Sequence, residues 1–352
     1  MADLFKDILS AEESLFTNEM ALDFDYLPKE IPHREGQQHY IAECIQLLLA
    51  GRMGKNLLIT GAPGIGKTAA VKWVMREMEE KGLDEQAIPL YVNCWKKDTP
   101  HKILLDLCDQ LKYKWVQNRN TDELFREVAN IINKKAAVIV LDEVDKLESE
   151  QIIYQLLEDI FRKCIILITN DNEWISEVDA RLRSRLLPET IEFKKYTPAE
   201  TEDILKRRIK AAFVHNVWEE EAADLISEKT HEIGDMRYGL FLLRETGNIA
   251  EKKASRKIKK EHAEAAVARL GDFSIRKSSD LDEDEKHIVE AVKANAGKTS
   301  TEIYDVYKQK SGKAYRTFHR KLKSLEEAGL LAIEGDFTPT GGRVSRVRLK
   351  KA

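Results

Sequence analysis

The sequence predicts an α/β domain with a parallel sheet, then an all-helical domain, then a small domain in which helices precede a β-hairpin. In the first 195 residues, apolar runs of strand length alternate with helical segments, the pattern of a parallel sheet covered by helices. After residue 196 only helical patterns follow, until two strand-like stretches flank a turn around Thr338–Gly342. The predicted domains are 1–195, 196–273 and 282–352, with a polar linker at 274–285.

The elements of the first domain are predicted from continuous apolar runs, because strands buried on both faces do not alternate. The predicted strands are 55–60, 88–94, 137–141 and 164–169, and the predicted helices are 37–50, 68–81, 99–112 and 121–134. Gly82 lies just beyond the second helix, as a helix stop does.

A capping pattern opens the helical domain. Thr197 precedes Pro198 and Glu200, so a cap, a proline at the first helical position and an acid at the third fall together. The further predicted elements are helices at 198–213, 219–232, 235–253, 259–270, 283–295, 299–310 and 313–328 and strands at 330–334 and 344–350. Helices followed by a two-stranded hairpin are the order of a winged helix-turn-helix.

The composition is that of a folded protein without a membrane span. Apolar residues make up 43% of the 352 residues, so a packed core is expected. No apolar run reaches the ~20 residues that a membrane helix needs, and the first residues do not have the pattern of a signal peptide. The four cysteines form no Cys-x-x-Cys pair, which argues against a zinc site. We expect a cytoplasmic, nucleoid-associated protein with no membrane partner.

Basic charge is concentrated at the C-terminal end. From Gly297 to Ala352 there are 13 Lys and Arg against 6 Asp and Glu, a net charge of +7; the rest carries 44 basic and 55 acidic residues, a net charge of −11. A basic domain on an acidic body is typical of nucleic-acid-binding proteins. A merely solubilising tail is the alternative that charge alone leaves open.

A glycine-rich loop between a predicted strand and a predicted helix matches the phosphate-binding pattern GxxxxGK[ST]. Its N–H groups and the helix N-terminus favour phosphate. Lys67 would reach the β- and γ-phosphates, and the Thr68 hydroxyl would coordinate Mg²⁺. The predicted nucleotide-binding residues of this loop are Gly61, Ala62, Pro63, Gly64, Ile65, Gly66, Lys67, Thr68 and Ala69.

Two carboxylates follow the predicted strand 137–141. Asp142 would hold Mg²⁺ through water, and Glu143 would polarise the attacking water as general base. Asn170 ends the next strand, where its amide can orient that water or touch the γ-phosphate. Asp-Asn-Glu follows Asn170 in place of the Lys-x-Asp of a guanine-reading motif, which favours ATP over GTP.

Together these motifs resemble those of the AAA+ ATPases, with Walker A at 61–68, Walker B at 138–143 and the sensor-1 asparagine at Asn170. The resemblance implies a P-loop sheet domain with an all-α lid, ATP or ADP with Mg²⁺ as ligands, and a lid arginine that contacts the γ-phosphate. Gly234-Asp-Met-Arg237 fits that lid pattern, so Arg237 is the candidate. An arginine in a first helical turn opposes the helix dipole, and a phosphate would compensate for this.

Over roughly residues 25–350 the chain resembles the archaeal origin-recognition and cell-division-control (Orc/Cdc-type) replication initiators. The segments that carry this resemblance are 31–37, 141–147, 193–200, 234–237, 315–322 and 341–343. The resemblance implies an adenine pocket flanked by Pro32, Arg34 and Tyr196. It also implies a helical insertion that touches DNA, in the region of Lys112–Trp115.

The chain departs from the family pattern at two places. Ser184-Arg185 stands where the family often has Ser-Ser. This pair resembles the arginine finger of clamp loaders, which acts on a neighbouring subunit's ATP. A basic helix end that suits the dipole is the equally open alternative, so self-assembly on DNA is left open too. In the wing, Arg343 and Val344 follow two glycines where a third small residue is usual.

The C-terminal domain carries the predicted contacts to duplex DNA. Tyr315, Phe318, Leu322 and Leu325 recur at spacings of three and four and predict one core stripe. The predicted DNA-binding residues are Arg316, His319, Arg320 and Lys323 on this recognition helix and Arg343 and Arg346 on the wing. Arg343 at the hairpin tip is suited to a minor groove. A solvated face and a protein-docking winged helix are the alternatives.

The combined prediction is an ATP-dependent protein that marks replication origins and helps to recruit or load the replicative helicase. Hydrolysis is expected to be slow, because ATP then serves as a marker of state. Two alternatives stay open: a motor or clamp-loader-like ATPase without site preference, and a transcriptional regulator with ATP as a structural ligand.

Overall fold

The computed structural model describes residues 14–276, 283–295, 298–311, 315–327, 331–337 and 343–349. The chain forms two compact units, Met1–Ala263 and Glu264–Ala352, which are described separately. The bounds of the three domains given above stay a prediction.

A five-stranded parallel sheet organises the first unit, in the order β2-β3-β4-β1-β5. Its strands are β1 Leu57–Thr60, β2 Ala87–Asn93, β3 Ala136–Asp142, β4 Lys163–Ile168 and β5 Glu189–Glu192. The first four agree with the predicted strands to within two residues. The fifth was not predicted, because it lies at the sheet edge, is only partly buried and reads Glu-Thr-Ile-Glu.

Helices cover both faces of this sheet, and each face has its own core. Leu58 and Ile139 belong to one buried cluster, whereas Leu57 and Val138 belong to the other, since successive strand residues point to opposite faces. The helices are α1 Glu35–Leu49, α2 Lys67–Glu80, α3 Pro100–Gln110, α4 Thr121–Ile132, α5 Gln151–Asp159, α6 Trp174–Glu177 and α7 Ala180–Leu186. The last three were not predicted.

Helices alone follow the sheet, as predicted: α8 Pro198–Ala212, α9 Glu220–Ile233, α10 Met236–Lys252 and α11 Lys260–Arg276. The predicted cap of α8 is present, since the Thr197 side chain accepts from the Glu200 N–H at 3.3 Å and the Glu200 carboxylate accepts from the Thr197 N–H at 2.7 Å. The predicted linker is wrong at both ends, because α11 runs to Arg276 and α12 begins at Glu283. Polar and charged residues sustain helices as well as linkers.

The second unit packs helices against a hairpin. It begins within α11, and its further elements are α12 Glu283–Ala294, α13 Ser300–Ser311, α14 Tyr315–Glu327, β6 Leu331–Phe337 and β7 Arg343–Leu349. The two strands are antiparallel, with Ile333 opposite Val347. Phe318, Leu322 and Leu325 are buried, but Tyr315 is 43% exposed, so the predicted core stripe of α14 has three members rather than four. Tyr315 lies in the first turn of the helix, where its ring packs edge-on against Tyr304.

The predicted fold class is confirmed: a parallel α/β sheet domain, an all-α region and helices followed by a two-stranded hairpin. The predicted turn at 338–342 lies outside the described residues. Within the described part of the chain, every helix is too short or too polar to cross a membrane.

Candidate nucleotide-binding site

The phosphate-binding loop joins β1 to α2. Gly64 and Gly66 have φ values of +70° and +91°, a region that side chains disfavour. A Cβ at Gly66 would lie 2.7 Å from the Tyr196 hydroxyl, and one at Gly64 would collide with the Asp235 carboxylate. Glycine is therefore required at both positions, by backbone conformation and by the close approach of neighbouring side chains.

Lys67, the first residue of α2, is 6% exposed. Its ammonium donates to the backbone oxygens of Gly61 at 2.6 Å and Ala62 at 2.8 Å and to Asn170 Oδ1 at 2.7 Å. Burial lowers the pKa of Lys67 to about 8, although the nearby Asp142 carboxylate opposes this shift. A buried ammonium held by neutral oxygens is a receptive partner for an anion.

Asp142 ends β3 and is 1% exposed. Its Oδ2 accepts from the Thr68 hydroxyl at 2.6 Å and the Tyr91 hydroxyl at 2.7 Å, and its Oδ1 accepts from the Glu143 N–H at 2.9 Å. A hydroxyl and a carboxylate in contact are oxygen donors of the kind that Mg²⁺ prefers. Among the described residues there is no group of three His, Cys, Asp or Glu that could hold a metal.

Glu143 follows β3 in a left-handed conformation, with φ of +56°. Burial raises the pKa of its carboxyl, and the neighbouring charges of Asp142 and Asp145 raise it further. A raised pKa is what a general base near neutral pH requires.

Arg237 lies at the start of α10. Its guanidinium forms a two-pronged ion pair with Asp235, the cap of that helix, at distances down to 2.6 Å. The next residue after the cap, Met236, donates its N–H to the Gly64 oxygen at 3.2 Å. The helical region is thus joined directly to the phosphate-binding loop.

These groups surround one cavity of about 480 Å³. Its polar wall includes Gly66, Lys67, Thr68, Asp142, Glu143, Asn170 and Arg237, and its apolar wall includes Leu27, Pro28, Ile31, Pro32, Tyr196 and Leu240. Most of the apolar wall was not predicted, because residues 24–31 have no recognisable motif. The contact of Tyr91 with Asp142 was missed too, because it joins two strands and leaves no local pattern.

Arg34 was predicted to flank the base, together with Pro32 and Tyr196. The guanidinium is buried, stacks 3.8 Å from the centre of the Tyr196 ring, and donates to the backbone oxygens of Ile65 at 3.0 Å and Lys194 at 2.7 Å. Arg34 therefore ties the phosphate-binding loop to the segment before α8, while Pro32 and Tyr196 line the cavity.

Arg185 lies exposed on α7. Its guanidinium is paired with the Glu158 carboxylate and lies 4.9 Å from the centre of the Tyr154 ring. The Lys112–Trp115 segment follows α3, with Lys112 in a left-handed conformation and Trp115 78% exposed.

The predicted DNA-binding residues lie on two elements of the second unit. His319, Arg320 and Lys323 are exposed on α14, and Arg346 is exposed on β7 opposite Glu334. Arg316 and Arg343 belong to the same two elements, and their side chains lie outside the described part.

Comparison with known proteins gives two family matches. Residues 52–171 match an AAA domain, and residues 202–268 match the Cdc6 AAA+ ATPase-type lid domain. The solved structure of Aeropyrum pernix Orc1 protein in complex with DNA has a similar fold, with a TM-score of 0.82, 24% identity and coverage of 97% of this chain and 95% of that one.

Two curated relatives extend the similarity over nearly the whole chain. ORC1-type DNA replication protein 1 of Sulfurisphaera tokodaii is 34% identical, over 95% of this chain and 89% of the relative. ORC1-type DNA replication protein 1 of Archaeoglobus fulgidus is 31% identical, over 99% of this chain and 90% of the relative. The chain therefore belongs to the family of ORC1-type DNA replication proteins, which are AAA+ proteins with a Cdc6-type lid.

Proposed function

We propose that this chain is an ATP-dependent replication initiator that binds duplex DNA at origins and helps to recruit or load the replicative helicase. It would act in the cytoplasm, on the nucleoid. The observation that carries the proposal is the single cavity in which the phosphate-binding loop, the carboxylates after β3 and the lid arginine meet. The relatives' description as DNA replication proteins supports the same conclusion.

The loop and Lys67 would bind the phosphates of ATP. The ammonium is already desolvated, so it would exchange its backbone oxygens for phosphate oxygens without a large new cost of burial. Ile31, Pro32 and Tyr196 offer the adenine base an apolar wall.

Thr68 and Asp142 would hold Mg²⁺, whose oxygen ligands they supply in part. When bound, the ion neutralises phosphate charge. Glu143 would take the proton of the attacking water, and Asn170, which already meets Lys67, would orient that water. Hydrolysis is proposed to be slow.

Arg237 would read the γ-phosphate. Its present partner is Asp235, so an incoming phosphate has to compete with that carboxylate. If the phosphate displaces Asp235, the Arg237 guanidinium moves onto the nucleotide, and the position of the lid then depends on whether ATP is bound.

The exposed basic residues of α14 and β7 would contact DNA, mostly at phosphates. Such contacts position a protein and make binding sensitive to salt, but carry little sequence information. Arg320 and Lys323, one turn apart on α14, are the central pair of this surface.

Sequencing of host genomic fragments retained by the protein, with ATP and then with ADP, tests the proposal. A few sharp peaks near replication start regions that depend on the nucleotide are expected. Uniform recovery would instead support a motor or loader without site preference, and peaks at many promoters would support a regulator. Lys67→Ala serves as the control that separates nucleotide-dependent peaks from background.

A further inference from the structure

Asp142 carries a second hydroxyl partner that the nucleotide-site motifs do not include. The Tyr91 hydroxyl donates to Asp142 Oδ2 at 2.7 Å, and this oxygen also accepts from Thr68. Two hydroxyls on one oxygen and an N–H on the other leave the carboxylate little freedom to turn.

The backbone of Tyr91 is held in place. Tyr91 lies on β2, paired with Val140 of β3 and two residues before the Asn93–Asp142 pair. The Gln110 side chain brackets it, with Oε1 accepting from the Tyr91 N–H at 3.0 Å and Nε2 donating to the Tyr91 oxygen at 2.7 Å. The phenol therefore reaches Asp142 from a fixed point on the neighbouring strand.

The ring of Tyr91 also meets α2. The Lys72 ammonium lies 4.6 Å from the ring centre, and Lys72 comes one helical turn after Thr68. A carboxylate can only accept, so the Tyr91 hydroxyl is the donor in its bond to Asp142.

We propose that Tyr91 is a positioning residue for the divalent cation, fixing the Asp142 carboxylate so that its oxygens face the metal position beside Thr68. The inference rests on the proposed function. An Asp carboxylate rotates in a broad torsional well, so its direction has to be set by hydrogen bonds. Groups that orient metal-binding carboxylates in this way change metal affinity by about 10- to 100-fold when they are removed.

Tyr91→Phe tests the proposal, because it removes only the hydroxyl. The measurement is the binding of fluorescently labelled ADP to the full chain, first in EDTA and then as Mg²⁺ is raised. We expect the variant to bind the nucleotide as the wild type does in EDTA and to need about tenfold more Mg²⁺ for half of the magnesium-dependent change.

Tyr40→Phe is the matched control. The Tyr40 hydroxyl also donates to a carboxylate, Glu189 Oε2 at 3.1 Å. Tyr40 lies on α1 and Glu189 on β5, away from the predicted metal ligands. The Tyr40→Phe variant is expected to need as much Mg²⁺ as the wild type.

Two results would overturn the inference alone: a magnesium requirement unchanged by Tyr91→Phe, or an equal loss of affinity with and without Mg²⁺, which means general damage to the loop. If nucleotide binding by the wild type does not change with Mg²⁺, both the metal assignment in the proposed function and this inference are wrong.

Discussion

In the nucleotide cavity the charged side chains of Lys67 and Asp142 are buried and hydrogen-bonded to neutral groups, whereas on α14 the basic side chains are exposed on a packed scaffold. Lys67 and Asp142 are 6% and 1% exposed and have hydrogen-bond partners at 2.6–2.8 Å. His319, Arg320 and Lys323 stand on the solvent side of a helix whose other side holds the core.

The two arrangements respond differently to substitution. Removing one of these buried side chains leaves its hydrogen-bond partners unsatisfied in a medium of low dielectric, which costs about 1–3 kcal/mol for each group. Water and salt screen an exposed charge, so each exposed side chain contributes little to binding energy, and the contributions of several add up. A single substitution in the cavity should therefore lower ligand affinity strongly, whereas a single substitution on α14 should lower it weakly and several are needed for a large effect.

The largest expected effect is that of Lys67→Ala. The variant loses the phosphate counter-charge and its hydrogen bonds, so nucleotide affinity should fall by about 100-fold or more. Titration with labelled ADP measures this directly.

Lys163→Ala is the matched control for that loss. Lys163 is also buried, at 7% exposure, and donates to the oxygens of Leu157 at 2.7 Å and Ile160 at 2.5 Å. It lies outside the cavity, so its loss should lower stability and leave affinity unchanged. Retained affinity in Lys67→Ala would contradict the site assignment.

Glu143→Gln should separate hydrolysis from binding. The amide cannot take a proton from water, so turnover should fall by about 10²- to 10⁴-fold, while removal of a like charge beside Asp142 leaves nucleotide affinity intact. Phosphate release and labelled-nucleotide binding are measured on the same sample. The exposed Glu148→Gln variant should behave as the wild type, and turnover unchanged in Glu143→Gln would remove the general-base role.

The same contrast explains what could be predicted from the sequence. β1 to β4 are continuous apolar runs, and the phosphate-binding loop is a local pattern, so both are visible along the chain. β5 alternates at the sheet edge and has no apolar run. The Tyr91 hydroxyl bonds to Asp142 on another strand, and tertiary pairing of this kind has no signature in one sequence.

Tyr315 shows the opposite failure, in which a residue type was recognised and its surroundings were not. Tyr315 fits the apolar spacing of α14, but it stands in the first turn, where part of its ring stays in solvent. Spacing predicts a face and does not predict where the core ends.

A smaller effect is expected for the exposed surface. Arg320→Ala combined with Arg343→Ala should weaken binding to duplex DNA and flatten the plot of log affinity against log salt by about 2, since each phosphate contact contributes roughly 0.9. Fluorescence anisotropy at several salt concentrations gives the slope. Lys81→Ala, an exposed lysine at the end of α2, is the control, and an unchanged slope in the double variant would show that this surface is not the DNA contact.

The smallest expected effect is that of Arg185→Ala. Its partner Glu158 is on the same chain, and both side chains are about half exposed, so the free energy of unfolding should change by less than about 1 kcal/mol. Turnover should stay near that of the wild type at all protein concentrations. A loss of turnover that appears only at high concentration, and that Glu158→Ala does not reproduce, would instead show that Arg185 acts on a neighbouring subunit. Arg185 would then join the cavity residues, whose loss acts singly and strongly, although in this chain it is as exposed as the basic side chains of α14.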